Sequence, residues 1–174
     1  ENLYIAASSI DLTGASVELV DQRDRAFFLK RTLEPVKDQY DYLFIDCPPS
    51  LGILTLNGLV AADAVIIPLQ CEYFALEGLS LLLETVKRVQ GSMNPALEIG
   101  GILFTMYDSR TRLANDVVKE VCGYFGEKVF KTIIPRNVRL SEAPSHSVPI
   151  NLYDPQCIGA KSYQKLAEEV LERV

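Results

Sequence analysis

The stretch Asp41-Tyr42-Leu43-Phe44-Ile45-Asp46-Cys47-Pro48-Pro49-Ser50 constrains this chain more than any other. An apolar, strand-forming run carries one carboxylate to its C-terminal end. The two prolines that follow end the ladder, because proline has no N–H to donate and its φ is locked. The pattern predicts a strand over 42–45 that delivers Asp46 to the edge of a parallel sheet, where an acid can hold a phosphate-bound Mg2+. An Asp that merely caps a turn is the plain alternative, and these residues alone leave both readings open.

Along the rest of the chain, strand and helix patterns alternate, which predicts an α/β fold with a mostly parallel sheet covered by helices on both faces. Strands are expected at Leu3–Ala6, Tyr42–Ile45, Val65–Ile67 (stopped by Pro68), Ile99–Phe104 (opened by Gly100-Gly101) and Val129–Ile134. Helical segments are expected from Asp24 to Gln39 with a break at Pro35, from Ile53 to Ala62, from Glu77 to Gln90 with Gly91 as its end, and from Leu113 to Phe125. In the third of these, Leu79, Leu82, Leu83 and Val86 recur at core spacing. A long proline-punctuated loop, too long to be an idle connection, is expected from Pro135 to Pro155. A closing helix from Ala160 to Val174 is expected to bury Tyr163, Leu166, Ala167, Val170 and Leu171. No repeat or low-complexity linker divides the chain, so residues 1–174 read as one α/β domain.

Composition sets limits on partners. The formal net charge is −6, so the global field repels nucleic acid and anionic membranes, and any DNA contact must come from a local basic face. Between 101 and 140 the balance reverses: Arg110, Arg112, Lys119, Lys128, Lys131, Arg136 and Arg139 outnumber Asp108, Asp116, Glu120 and Glu127. The cysteines Cys47, Cys71, Cys122 and Cys157 form no C-x-x-C pair and read as buried, reduced thiols. His146 is the single histidine and has no ligand cluster around it, so it reads as a loop hydrogen-bonder. No apolar run reaches the roughly 18 residues that a membrane span needs, and no signal-peptide pattern is visible.

Four segments together resemble the ParA/Soj family of chromosome- and plasmid-partitioning ATPases: DYLFIDCPPSLGILTLNGLVAADAVIIPLQCEYFALEGL (41–79), TMYDSRTRL (105–113), KTIIPRNVRLSEAPSHSVPINLYDP (131–155) and IGAKSYQKLAEEV (158–170). The opening NLYIAASSIDLTGASVEL is similar to the stretch before the Walker-B strand of those proteins. The third segment is the most specific. The resemblance implies a P-loop NTPase fold of the deviant Walker-A type. Family members begin with a KGGVGKT-type loop and a later switch-I aspartate, whereas this sequence contains no G-x-x-x-x-G-K-[ST] and no initiator Met. The chain therefore reads as the C-terminal two-thirds of such an ATPase. Its first strand, P-loop, first helix and switch I are expected to be missing, and with them the catalytic residues and ATP binding by these residues alone.

What the resemblance implies maps onto particular positions. Asp46 matches the Walker-B acid that holds a water on Mg2+. Pro48, Pro49 and Gly52 match the switch-II turn that senses the γ-phosphate. Met106, with Pro135, Arg136 and Asn137, matches the loops that line the adenine pocket. An Asn amide can pair with the adenine amino group and a ring nitrogen at once, and Met106 offers a soft surface to a base. Arg110 and Arg139 match arginines that carry non-specific DNA binding, with Arg112 and Lys131 as helpers; alternatively, Arg110 and Arg139 pair with Asp108 and Glu142 in surface salt bridges. Tyr73 and Phe74, within Glu72–Gly78, suit a partner surface in an ATP-bound homodimer, or simply pack under their loop. ATP and Mg2+ are the implied cofactors. Duplex DNA and a ParB-like centromere-binding protein are the implied partners, and the nucleoid in the cytoplasm is the implied location.

Other readings compete. A non-enzymatic DNA- or protein-binding remnant would leave unpaired strand edges where the missing strand lies, an aggregation hazard. A shortened polypeptide, marginally stable or exchanging strands between copies, is favoured over it. A MinD-like membrane ATPase needs a basic amphipathic C-terminal helix, whereas the last helix here places Glu168, Glu169 and Glu172 on its exposed side. Iron–sulfur carriers need C-x-x-C, and dinucleotide enzymes need G-x-G-x-x-G after a strand; neither motif occurs.

Overall fold

The computed structural model describes residues 2–19 and 21–173. The chain forms two compact units: Glu1–Asp63 with Glu84–Leu97, and Ala64–Leu83 with Glu98–Val174. The helices and strands of the described residues follow in order: α1 (Ala15–Glu18), α2 (Phe28–Leu33), α3 (Ile53–Ala61), β1 (Ala64–Gln70), α4 (Ala75–Ser92), β2 (Glu98–Thr105), α5 (Arg112–Phe125), α6 (Val138–Glu142), α7 (Ile150–Tyr153) and α8 (Ile158–Arg173).

The second unit holds the sheet. β1 and β2 run parallel and are joined through α4, a βαβ crossover. The register steps from Val65↔Ile99 to Ile66↔Gly101, so Gly100 is the extra residue of a bulge. Gly101 is required by packing, since a Cβ there would run into the Phe130 ring. β2 alternates cleanly. Ile102 and Phe104 join Ile67, Leu69, Leu79, Ala114, Val117 and Val121 on one face. Leu103 joins Phe130 and Ile134 on the other, under Leu140, Leu166 and Val170. Helices thus cover both faces of a parallel sheet, as the alternating pattern predicted.

Helix α5 is set by its ends. Thr111 caps it, its Oγ accepting from the Ala114 N–H at 3.4 Å, and Gly126 ends it at φ 54°, a conformation glycine adopts without Cβ strain. Thr111→Ala is expected to lower the stability of this unit by about 1 kcal/mol, measured by urea unfolding.

Several expectations are corrected. Tyr42–Ile45 and Leu3–Ala6 form no strand. A strand exists only when its N–H and C=O groups find a ladder partner, and among the described residues of the first unit there is no other strand. Most of their apolar side chains stay exposed, Phe44 at 79% and Leu3 at 82%, while Ile45 is half-buried. Pro68 does not stop β1; it pairs with Leu103 inside the ladder. An edge strand tolerates proline, and one side of β1 is unpaired among the described residues. Gly91 does not end α4, which runs to Ser92.

Residues 129–134 are not a regular strand either. They lie beside β2 through isolated parallel bridges, Ile102↔Val129 and Tyr107↔Pro135. Phe130 N donates to Ile102 O, and Ile134 N to Phe104 O, each at 2.9 Å. The segment thus spends four residues where β2 spends two, and Lys131-Thr132 bulge outward. The expected loop 135–155 is folded into α6, a 3-10 turn at Ala143–His146, and α7; its prolines stand at turn and helix starts rather than preventing helix. In α8, Leu166 and Val170 pack inward, whereas Tyr163 and Leu171 are exposed at 43% and 61% and Ala167 is exposed as well. A 16-residue helix on a narrow sheet buries a single stripe. Val174 lies outside the described residues.

Of the cysteines only Cys71 is fully buried, and burial pushes its thiol up to about 11. Cys157 is half-buried, and Cys47 and Cys122 are exposed. All four are free, as expected of reduced thiols. His146 stacks on Tyr153 with ring centroids 5.0 Å apart. Among the described residues no helix is long and apolar enough to cross a membrane.

Candidate functional site

In the first unit, Asp46 stands exposed just after the 42–45 segment. The turn after it is held from below. The Thr55 hydroxyl, inside α3, reaches Ser50 O at 2.5 Å and Pro48 O at 3.2 Å, and Gly52 is the extended residue that starts α3. The segment Pro48–Gly52 bends here and is tied through Thr55 to the helix that follows. Gly58 lets Cys47 lie against α3, since a Cβ there would come within 2.6 Å of the Cys47 sulfur. Burial and then the Asp46 charge push the Cys47 thiol up.

Two buried amides with no motif to announce them hold this unit around α3. Asn57 is 5% exposed. Its Oδ1 accepts from Leu29 N at 3.1 Å, and its Nδ2 donates to Arg25 O and Ile53 O at 2.8 and 2.9 Å. Asn94 donates to Leu59 O and Ala62 O, at 3.1 and 2.7 Å, serving carbonyls at the open C-terminal end of α3. The available signal was a lone Asn inside the apolar Leu-Thr-Leu-Asn-Gly-Leu-Val run.

The second unit brings the Met106 and Pro135–Asn137 loops together. Tyr107 N donates to Ile134 O at 3.2 Å, and Arg136 N donates to Tyr107 O at 2.9 Å. Both loops therefore leave the C-terminal edge of parallel-running segments side by side, the place where open α/β sheets receive ligands. Met106 is 40% exposed rather than core and sits at φ 54°, a costly conformation for a non-glycine residue. Tyr107 anchors the turn from inside, its Oη 2.8 Å from Asn115 Oδ1. Asn137 caps α6, its Oδ1 accepting from Arg139 N at 2.9 Å, which leaves its NH2 group as the free-facing donor of that amide.

Of the four basic side chains expected to meet DNA, the three arginines are engaged with carboxylates. Arg110 grips Asp108 with both arms of its fork, Nε to Oδ1 at 2.8 Å and Nη2 to Oδ2 at 2.6 Å. These bonds, with help from Arg136, hold the Asp108 carboxyl far below the usual carboxylate range. Arg139 Nη1 donates to Glu142 at 2.8 Å, and its Nε lies 3.4 Å from Asp154. Arg112 sits 3.6 Å from Asp116. The Lys131 ammonium makes no ion pair among the described residues.

Glu169 is not on an exposed face. Its side chain is 13% exposed and accepts the N–H groups of Lys131 and Thr132 at 2.8 and 2.9 Å. Arg173 meets it at 2.6 Å, also donates to Glu127 O and Val129 O, and lies 4.4 Å over the Phe130 ring. The bulge at Lys131-Thr132, beside β2, is thus a two-amide nest filled by a carboxylate. An i,i+4 Glu–Arg spacing was the only trace of it in the sequence. Tyr73 and Phe74 are exposed at 75% and 71% and meet edge to face.

Residues 1–99 match the family model described as an AAA domain. The chain is 69% identical over 172 residues to the chromosome-partitioning ATPase Soj of Treponema pallidum, covering 99% of this chain and 68% of that protein. It belongs to the ParA/Soj family. The sporulation initiation inhibitor protein Soj of Bacillus subtilis is 59% identical over 170 residues, covering 98% of this chain and 67% of that protein. Among solved structures, cobyrinic acid a,c-diamide synthase from Mycobacterium smegmatis, with bound ATP analogue and magnesium, superposes with a TM-score of 0.80. The identity is 40%, over 94% of this chain and 61% of that one. The chain thus spans about two thirds of the length of the curated ParA/Soj relatives, and its fold is the α/β fold of P-loop NTPases with a short parallel sheet.

Proposed function

We propose that this chain provides the switch-II, base-binding and DNA-binding parts of a partitioning ATPase of the ParA/Soj type. Asp46 holds a water on Mg2+, and the turn Pro48–Gly52 responds to the γ-phosphate. Met106 would offer a surface to the adenine, and Pro135, Arg136 and Asn137 would line the same pocket. Mg2+, when bound there, would supply neutralisation of phosphate charge. The exposed position of Asp46, with an oxygen-only donor group, fits a hydrated Mg2+ bound through few protein ligands. Arg110 and Arg139, helped by Arg112 and Lys131, contact duplex phosphates without reading bases. Tyr73 and Phe74 contribute to an ATP-dependent homodimer, and a ParB-like partner stimulates hydrolysis on the nucleoid.

The observation that carries this reading is the pairing of Tyr107 with Ile134 and Arg136. It sets the two candidate base-binding loops side by side at a C-terminal strand edge. The test titrates labelled ATP with Mg2+, then labelled duplex DNA, against this chain and against a version extended with a KGGVGKT-type segment. ATP is expected to bind only the extended version. For the version that binds DNA, Arg110→Ala and Arg139→Ala are each expected to reduce the slope of log K against log salt by about 1, with affinity falling alike for all sequences. Nucleotide binding by the shorter chain, or DNA binding indifferent to both arginines, would overturn the reading.

A further inference from the structure

The two arginines assigned to DNA are both closed on carboxylates of their own chain, and those carboxylates are held in place by other bonds. Asp108 is the more enclosed partner of its pair: its side chain is 22% exposed, against 85% for Arg110. Its Oδ1 also accepts the Arg110 N–H at 3.1 Å, and its backbone carbonyl accepts from Thr111 N and Oγ at 3.1 and 3.0 Å. Opposite Arg139, Glu142 takes a bond from Tyr153 Oη at 3.3 Å. Asp154 is pinned by the N–H groups of Gln156 and Cys157.

The chemistry of these contacts is that of phosphate binding. A guanidinium fork offers the same two parallel N–H groups to a carboxylate and to a phosphate. Arg110 already spends Nε and Nη2 on Asp108, so a DNA phosphate cannot be gripped the same way until that carboxylate lets go. When it does, a bare carboxylate is left beside the phosphate. It repels the DNA and draws in a solution cation, offsetting part of the counterion release that drives binding.

We propose that Asp108 and Glu142, with Asp154, are built-in competitors for the phosphate sites: they hold Arg110 and Arg139 closed in the DNA-free chain and set the affinity and salt range in which the basic surface takes a polyanion. This inference rests on the DNA-binding reading above. Exposed ion pairs are weak individually, so each carboxylate sets a modest threshold that a multivalent duplex overcomes.

The experiment measures binding of a labelled random-sequence duplex across a salt series. It compares the wild type with Asp108→Asn, Glu142→Gln, the double variant, Arg110→Ala, and Arg110→Ala combined with Asp108→Asn. Asparagine keeps the Oδ1 acceptor for the Arg110 N–H, so the turn at 108–111 is retained, and Glu142→Gln tests the second arginine independently of that turn. Each single carboxylate variant is expected to tighten binding about two- to fivefold and to steepen the salt dependence. The gain from Asp108→Asn should vanish in the Arg110→Ala background. A gain that persists there is only a change in net charge and overturns the inference. Wild-type binding that weakens in Arg110→Ala yet does not tighten in Asp108→Asn or Glu142→Gln also overturns it, while leaving the DNA reading intact. Binding that appears only in the double variant supports it. No binding by any form, with or without the KGGVGKT-type extension, removes the inference and the DNA reading together.

Discussion

Glu169→Ala is expected to destabilise the second unit by about 3 kcal/mol. The mutation strips two backbone N–H groups, Lys131 and Thr132, of their acceptor and leaves Arg173 without its carboxylate. No neighbouring strand can take over, because the bulged amides point away from the β2 ladder. Glu169→Gln, which keeps one acceptor oxygen, should cost about half as much. Urea unfolding measures both, and hydrogen exchange should show the Lys131 and Thr132 amides losing protection first. A loss below about 1 kcal/mol for the alanine variant would mean that water replaces the carboxylate without penalty.

The same carboxylate gives a pH dependence with a definite sign. Burial by itself would raise the Glu169 pKa, but the two amide bonds and the Arg173 charge outweigh it, and the net shift is downward. A lowered folded-state pKa adds stability that is complete above the unfolded value, about 4.3, and is lost as pH falls through the folded value. The stability difference between wild type and Glu169→Gln should therefore be constant above about pH 5 and shrink in more acid solution. A difference that grows toward low pH would contradict the assignment.

Asn57→Ala carries the second large effect, about 2–3 kcal/mol on the first unit. Its amide spans from α3 to the 25–29 segment, and its loss removes the acceptor from Leu29 N and the side-chain donor from Arg25 O and Ile53 O. Asn57→Asp is a sharper probe. It keeps the acceptor for Leu29 but removes the NH2 donor and places a charge at a site 5% exposed, so it should be at least as damaging as alanine at neutral pH and less so in acid. Thermal and urea unfolding of the three forms check the order.

Local pattern carried most of the helices. The stripe of Leu79, Leu82 and Leu83 and the apolar pattern over Leu113–Phe125 predicted α4 and α5 within a few residues, because amphipathic spacing acts over one or two turns; the Thr111 cap came from the structure. β1 and β2 were legible for a similar reason, as continuous apolar runs in the alternating order of a βαβ unit. The family resemblance was legible as motif, in Asp46-Cys47-Pro48-Pro49 and Pro135-Arg136-Asn137, and the family membership agrees with it.

Pairing and competition were not legible. Tyr42–Ile45 has every strand signal and forms no ladder, since a strand needs a partner that its own sequence does not name. Val129–Ile134 was expected to be regular, yet Glu169, 37 and 38 residues away, takes the amides of Lys131 and Thr132. Arg110 and Arg139 could be foreseen as phosphate-binding or salt-bridged. That Asp108 would be enclosed while Arg110 is left at the surface follows from how the turn at 108–111 folds. By itself, then, the sequence determined the residue types at the site, the helix stripes and the βαβ order, all consequences of short-range periodicity and backbone restriction. The tertiary structure decided which segments pair, which carboxylates are buried and which cations are closed, because those depend on groups far apart in the chain meeting where water is excluded.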